Sequence, residues 1–93
     1  MKSTIKGKRY DTRKCEVLGE FSHYNNSNYT GVTYLLRAPD GRLLVYGDSN
    51  GQDLYFKDYV MALDMSSLTV DDFQYDDKQE KRMAELGLIE IVA

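Results

Sequence analysis

Two largely apolar segments joined by a turn sequence constrain the fold most strongly. Residues 32–38 and 42–47 flank Pro39, Asp40 and Gly41. Proline presets φ for a turn and glycine adopts positive φ without strain, so this segment predicts a β-hairpin. Neither strand has a cleanly polar face. The pair is therefore predicted to be central in a sheet, with one face on the core and the other partly covered or presented to a partner.

The chain before this hairpin predicts short elements in the order strand, strand, helical turn, strand and loop, at residues 1–5, 8–10, 11–15, 16–24 and 25–31. Lys6 and Gly7 form the tight turn between the first two strands, and Asp11 caps the helical turn. The predicted loop contains three asparagines, a serine and a glycine.

The chain beyond residue 47 predicts a turn, two strands and a partly helical segment, at residues 48–51, 53–57, 59–63 and 69–86. Thr69 is the expected cap at the start of the helical segment. Gly87 is the expected left-handed residue at its end, which would bring Leu88 against Met83. The remaining residues, 88–92, are either a short edge strand or a packed tail.

Together these elements predict one α+β domain over residues 1–93. The expected architecture is a twisted antiparallel sheet of about four to six strands with a C-terminal helix packed on one face. A single cysteine excludes an internal disulfide and fits a reducing compartment. The chain has no apolar run of the ~18 residues that span a membrane and no signal peptide, so we predict a cytoplasmic location without membrane contact.

Residue counts argue against catalysis and against a metal or cofactor. The chain has one cysteine, Cys15, and one histidine, His23, too few for the usual zinc sites. The segment 48–53 resembles a calcium loop but lacks the third acidic position before the glycine and the distal glutamate, and the glycines are explained by turns instead of a phosphate-binding loop. We therefore expect a protein that binds and does not catalyse.

Charge is distributed unevenly along the chain. Residues 1–14 contain six basic side chains and one acidic side chain, a net charge of +5. Residues 15–93 contain six basic and fourteen acidic side chains, a net charge of −8. The distribution predicts either an electrostatically bipolar molecule or two solvated faces without a role.

Six aspartates without an intervening lysine or arginine are candidate partner-binding residues: Asp58, Asp64, Asp71, Asp72, Asp76 and Asp77. Spaced carboxylates on a rigid domain can imitate phosphates and occupy a basic nucleic-acid channel. The alternative is an ordinary solvated acidic face. Direct nucleic-acid binding is not expected, because the acidic part of the chain would repel phosphates.

Tyrosine is the other unusual feature, with eight copies against three phenylalanines. Tyrosine gives a large contact area at low entropic cost and is enriched in protein interfaces. Tyr24 and Tyr29 lie in or beside the predicted polar loop, where a core role is least expected, and are candidate partner-binding residues. Other tyrosines, Tyr34 and Tyr46 among them, are equally compatible with the core.

An ordered series of short motifs carries a family resemblance: GKRYDT at residues 7–12, LGE at 18–20, YLLR at 34–37, DGR at 40–42 and VYG at 45–47. The series resembles small proteins of bacterial phages and other mobile elements with a GK-x-YDT…GE…LYRT-x-x-G-x-x-FLYG pattern. Some proteins of this kind look like anti-CRISPR inhibitors. The match covers roughly residues 5–47, about half of the chain.

The resemblance implies a stoichiometric inhibitor in the host bacterial cytoplasm. It would bind a CRISPR–Cas effector, either an RNA-guided nuclease or a surveillance complex, and block DNA binding or cleavage. Such effectors hold nucleic acid in positively charged channels, to which an acidic, tyrosine-bearing domain would be complementary. The alternative is a non-catalytic interaction or regulatory module that forms a homodimer or larger homo-oligomer through a sheet edge or its tyrosines.

Overall fold

The computed structural model describes residues 1–49 and 58–93. Its strands are β1 (Lys2–Ile5), β2 (Lys8–Asp11), β3 (Glu16–Asn25), β4 (Asn28–Arg37), β5 (Leu43–Asp48) and β6 (Tyr59–Ala62). One α-helix, α1 (Asp77–Glu85), and three short 3₁₀ turns, Thr12–Lys14, Leu63–Met65 and Val70–Asp72, complete the described elements. Strands β1 and β2 form one antiparallel sheet, and β3-β4-β5-β6 form a second, also antiparallel.

The predicted central hairpin is confirmed as β4 and β5. The Gly41 N–H donates to the Ala38 carbonyl over 2.8 Å, and the Arg42 N–H donates to Asp40 Oδ1 over 3.0 Å. Gly41 has a φ of 89°, in the region that glycine tolerates best. Local turn chemistry therefore sets the register of the two strands on which the rest of the fold is built.

The loop predicted at residues 25–31 is wrong. Strand β3 extends to Asn25 and β4 begins at Asn28, so only Asn26 and Ser27 turn the chain. Both have positive φ, 50° and 70°, as the tight turns favoured in hairpins require. The loop was predicted because the segment is rich in asparagine, serine and glycine. A two-residue turn was not expected, since asparagine tolerates positive φ but serine rarely adopts it.

The four-stranded sheet is covered on both faces, as expected for a central hairpin. One face is covered by the β1–β2 hairpin and is called the hairpin-side face. There, Ile5 and Tyr10 of β1 and β2 pack against Leu36, Leu44 and Ala62. On the other, the helix-side face, the C-terminal segment packs against the sheet. The core between this segment and the sheet consists of Leu18, Leu35, Val45, Phe73 and Met83. Adjacent residues of β4 therefore belong to different clusters.

The C-terminal segment has the predicted helical pieces, each begun by a capping box. Thr69 and Asp72 cap the 3₁₀ turn Val70–Asp72, and Asp76 and Gln79 cap α1. Between these pieces, Gln74 exchanges two backbone hydrogen bonds with Glu20 of β3, at 2.9 and 3.1 Å. The segment is therefore fastened to the edge of the sheet at its midpoint.

The helix ends as predicted. Gly87 has a φ of 72°, and the Leu88 N–H donates to the Met83 carbonyl over 3.0 Å, the long bond of a Schellman ending. Residues 88–92 form no strand, so the edge-strand alternative is wrong. Leu88 and Ile89 pack against the helix-side core, whereas Ile91 is exposed.

The fold class is α+β, as predicted, with α1 packed on the helix-side face. The strands form two sheets instead of one, because the 3₁₀ turn Thr12–Lys14 redirects the chain and lays the β1–β2 hairpin over the larger sheet. The strand predicted at 53–57 and the turn residues 50 and 51 lie outside the described residues. In the described ranges, no helix has the length and apolarity needed to cross a membrane.

Candidate functional site

Two tyrosines occupy paired positions on the central strands. Tyr34 of β4 and Tyr46 of β5 are directly opposite in the antiparallel register. Their rings stack with a centroid distance of 5.8 Å and an interplanar angle of 23°. Both are half-buried and lie at the margin of the hairpin-side cluster, beyond the part of the sheet that β1 and β2 cover.

A second tyrosine pair lies at the β3–β4 turn. Tyr24 and Tyr29 are cross-strand partners, and their rings meet edge to face with centroids 6.1 Å apart. Tyr24 is 66% exposed and Tyr29 is 41% exposed. The two candidate tyrosines from the sequence are therefore in contact with each other and open to solvent, although they lie in strands and not in the predicted loop.

The two pairs are neighbours. The pKa of the Tyr34 phenol is raised from its usual value, chiefly by burial and then by the nearby Glu20 carboxylate, the Tyr29 phenol and Asp48. Tyr24 and Tyr29 are opposite each other farther along the two strands on which Glu20 is opposite Tyr34, and Tyr29 is within electrostatic reach of the Tyr34 phenol, so the two pairs lie near each other. We call the surface formed by Tyr24, Tyr29, Tyr34 and Tyr46 the tyrosine face; it crosses strands β3, β4 and β5.

Carboxylates border the tyrosine face. The pKa of Tyr46 is raised by burial and then by Asp48, Asp58 and Tyr34, which places both aspartates within electrostatic reach of its phenol. Asp58 accepts hydrogen bonds from the Ser49 N–H and hydroxyl, each 2.9 Å long, and these bonds lower its pKa. The border thus carries carboxylates, of which Asp58 has a lowered pKa, whereas the raised pKa values of Tyr34 and Tyr46 keep their phenols protonated and able to donate hydrogen bonds at neutral pH.

A groove of about 460 Å³ separates the tyrosine face from the start of the chain. Its lining includes Tyr34, Tyr46 and Asp48 together with Arg13 and Val17. Val17 is 45% exposed, which is unusual for a valine in a strand of this sheet. The groove combines aromatic, aliphatic and charged surface, a mixture typical of protein interfaces.

The other predicted acidic residues lie on the C-terminal segment, away from the tyrosine face. Two of them are helix caps: Asp72 accepts from the Thr69 N–H over 2.7 Å, and Asp76 accepts from the Gln79 N–H over 2.7 Å. Asp64, Asp71 and Asp77 are exposed, in or at the start of helical turns. The structure thus brings Asp58 to the tyrosines and leaves five aspartates elsewhere, two of them with local structural roles.

Cys15 and His23 do not form a thiol–imidazole pair. The Cys15 thiol donates to the Asp11 carbonyl over 3.4 Å and packs against the hairpin-side cluster. Burial, and next the Asp11 and Asp40 carboxylates, raise its pKa, which disfavours the nucleophilic thiolate. The His23 ring lies 4.8 Å from Phe21, which belongs to the helix-side core, and its Nε2 is 2.6 Å from the Thr33 hydroxyl oxygen. In the described part of the chain no three metal-ligating side chains come together.

Tyr34 and Tyr46 are the site residues that the sequence left ambiguous. The strand period places Tyr34 on the same face as Leu36, but the sequence did not decide which face of the hairpin lies on the core and which is partly covered or presented to a partner. The structure shows both outcomes on one face, since the β1–β2 hairpin covers Leu36 and leaves the tyrosines half-exposed. Only the position of the β1–β2 hairpin along the sheet decides which of these side chains are covered.

Comparisons with models of protein families, with curated proteins and with solved structures found no match. The site is therefore interpreted from its own geometry.

The raised pKa values of Tyr34 and Tyr46 predict a loss of stability at alkaline pH. The pKa of each phenol is above the ordinary 10.0 in the folded state. The contribution of the two protonated phenols to the free energy of unfolding is therefore complete below pH 10.0 and is lost as the pH rises through the pKa values of the folded state. In urea unfolding measured across this range, Tyr34→Phe with Tyr46→Phe is expected to flatten the decline. Identical profiles for the variant and the parent chain would contradict the prediction.

Proposed function

We propose that this protein is a non-catalytic binding domain whose tyrosine face contacts a basic protein surface. The supporting observation is the assembly of two tyrosine pairs into one surface with an anionic border. Tyr24 and Tyr29 are exposed on a strand hairpin, not buried in the core. Exposed tyrosines are typical anchors of protein interfaces because they combine large contact area with a hydroxyl donor.

The chemistry of the face indicates the kind of partner. Aromatic rings attract arginine and lysine through cation–π interactions, and neighbouring carboxylates form charge-assisted hydrogen bonds with the same cations. Glu20, Asp48 and Asp58 supply those carboxylates beside the rings. A surface of this kind complements an arginine- and lysine-rich channel.

The proposed partner is a CRISPR–Cas effector, and the proposed activity is stoichiometric inhibition of its DNA binding or cleavage. Two independent considerations support this choice: the motif resemblance over residues 5–47 and the complementarity between an anionic aromatic face and the basic nucleic-acid channels of such effectors. The protein would act inside the bacterial cell that contains the effector.

The test is DNA cleavage by guide-loaded effectors, both single-protein nucleases and surveillance complexes with their nucleases, with the purified protein added in excess. We expect inhibition of at least one effector and co-elution with it. Tyr24→Ala with Tyr29→Ala is expected to cost about 2 kcal/mol of binding, roughly a 30-fold loss of affinity. Loss of the cross-strand ring contact should cost no more than about 1 kcal/mol of stability, so the variant should remain folded, which circular dichroism would check.

Asp71→Lys with Asp77→Lys is the matched control on the opposite face, and its inhibition should be little changed. Loss of inhibition in this control alone would transfer the contact to the acidic C-terminal segment. The absence of inhibition and co-elution with every effector type would exclude the proposed partner. If the chain then forms a dimer that Tyr24→Ala with Tyr29→Ala disrupts, light scattering would favour the homo-oligomeric alternative.

A further inference from the structure

The β1–β2 hairpin presents cations on its outer face. In its register Lys2 is opposite Asp11 and Thr4 is opposite Arg9, so these side chains share the face turned away from the sheet. Arg9 is held on this face by a hydrogen bond from Nη1 to Thr4 Oγ1, 3.1 Å long. Lys6 in the turn and Lys14 in the following 3₁₀ turn are also exposed.

The carboxylates nearest these cations are already paired with other basic side chains. Asp11, the one carboxylate of residues 1–14, accepts two side-chain hydrogen bonds from Arg13, each 3.2 Å long. Its pKa falls to about 2, mainly because of these bonds. Lys8 faces Asp40 at 3.7 Å. Within residues 1–49 and 58–93, no carboxylate lies within ion-pair distance of Lys2, Lys6, Arg9 or Lys14.

The backbone that carries the cations is firmly anchored. Tyr10 is 5% exposed, and its hydroxyl donates to Asp40 Oδ2 over 2.8 Å. The N-terminal ammonium of Met1 donates to Thr12 Oγ1 over 3.0 Å, and the Thr12 N–H donates to the Met1 carbonyl over 2.9 Å. Fixed attachment points lower the entropy lost when the cations bind a ligand.

Part of the negative charge lies on the other side of the sheet, while Glu20, Asp48 and Asp58 border the tyrosine face on the same side as the β1–β2 hairpin. The hairpin packs on the hairpin-side face, whereas the C-terminal segment with its exposed aspartates packs on the helix-side face. Packed layers are spaced by about 10 Å, so roughly 20 Å separates the two outer layers. The Debye length at physiological salt is only about 8 Å. The repulsion from the aspartates at 71, 72, 76 and 77, on the helix-side layer, is therefore largely screened.

We propose that the outer face of the β1–β2 hairpin binds the phosphate backbone of nucleic acid. Lys2, Arg9 and Lys14 line a cleft of about 300 Å³ together with Tyr10, Pro39 and Asp11, whose carboxylate is paired with Arg13. A cleft with an arginine in its wall suits a protruding phosphate chain better than the flat plane of lipid headgroups. Binding through these side chains is independent of base sequence and depends steeply on salt.

The experiment measures fluorescence anisotropy of a labelled DNA duplex and a labelled single-stranded RNA with the purified protein alone. If Lys2, Lys6, Arg9 and Lys14 each neutralise one phosphate, affinity should fall about 100-fold when KCl rises from roughly 50 to 200 mM. Arg9→Glu with Lys14→Glu should weaken binding by at least about tenfold and reduce the salt slope by about two. Both side chains are exposed, and the circular dichroism of the variant should match that of the parent chain.

Lys78→Glu with Lys81→Glu is the matched control, because it changes the net charge equally on the helix-side layer. Its nucleic-acid affinity should exceed that of the Arg9 and Lys14 variant by at least about fivefold. Three results would overturn the proposal: no binding of either nucleic acid, equal weakening by the two variants, or binding to phosphatidylserine vesicles without binding to nucleic acid. No CRISPR effector is present in this assay, so its outcome is separate from that of the proposed inhibition.

Discussion

Leu35→Ala and Leu36→Ala are each expected to lower the free energy of unfolding by about 3 kcal/mol. These neighbours in β4 are 0% and 2% exposed. Leu35 belongs to the helix-side core, and Leu36 packs with Ile5 and Tyr10 under the β1–β2 hairpin. A sheet with one solvated face would bury only one of two successive side chains, so two comparable costs would establish that both faces are covered.

Thermal and urea unfolding monitored by circular dichroism would measure these costs. For a domain of this length, a loss of about 3 kcal/mol corresponds to a decrease in Tm of more than roughly 10 °C. Val92→Ala, at a side chain that is 88% exposed, is the control and should change stability by less than about 0.5 kcal/mol. If Leu36→Ala lowered the free energy of unfolding as little as Val92→Ala does, the β1–β2 hairpin would not cover the sheet.

Gly19→Val is expected to destabilise the fold by about 2 kcal/mol through overpacking. A Cβ at Gly19 would clash with two carbons of the Tyr75 ring, one of them 2.8 Å away, and would lie 3.1 Å from the Gln74 carbonyl oxygen. The ring cannot move freely, since its hydroxyl donates to the Val70 carbonyl over 2.6 Å. Valine would therefore displace Tyr75 and loosen the attachment of the C-terminal segment to β3.

Tyr75 itself provides the specific measurement. Burial, followed by the charge of Asp71, raises its pKa to about 12 in the parent chain. In Gly19→Val this pKa should fall toward the ordinary value of 10.0, as followed by NMR of the tyrosine ring carbons, with Tyr75→Phe to assign the signal. Ser22→Val, at an exposed position of the same strand, is the control. An unchanged Tyr75 titration in Gly19→Val would contradict the packing described here.

The candidate site was only partly predictable. Tyr24 and Tyr29 were selected because they lie among asparagines, and they are exposed, yet in a tight hairpin and not a loop. Tyr34 and Tyr46 could not be assigned from sequence, because a strand with apolar residues on both faces does not indicate where its cover ends. The aspartates at 72 and 76 were predicted as contacts but also belong to capping boxes, Asp72 with Thr69 three positions earlier and Asp76 with Gln79 three positions later.

The amino-acid sequence by itself determined the central hairpin, the capped helical segment and the Schellman ending at Gly87. Each depends on φ preferences, periodicity and hydrogen bonds within a few neighbouring residues, and such local terms can be evaluated without knowing the rest of the chain. Tertiary structure alone decided which half of the sheet the β1–β2 hairpin covers and which half exposes its tyrosines. That choice rests on contacts between distant residues, such as Tyr10 with Asp40 and Glu16 with Arg82, whose energies depend on the complete packing.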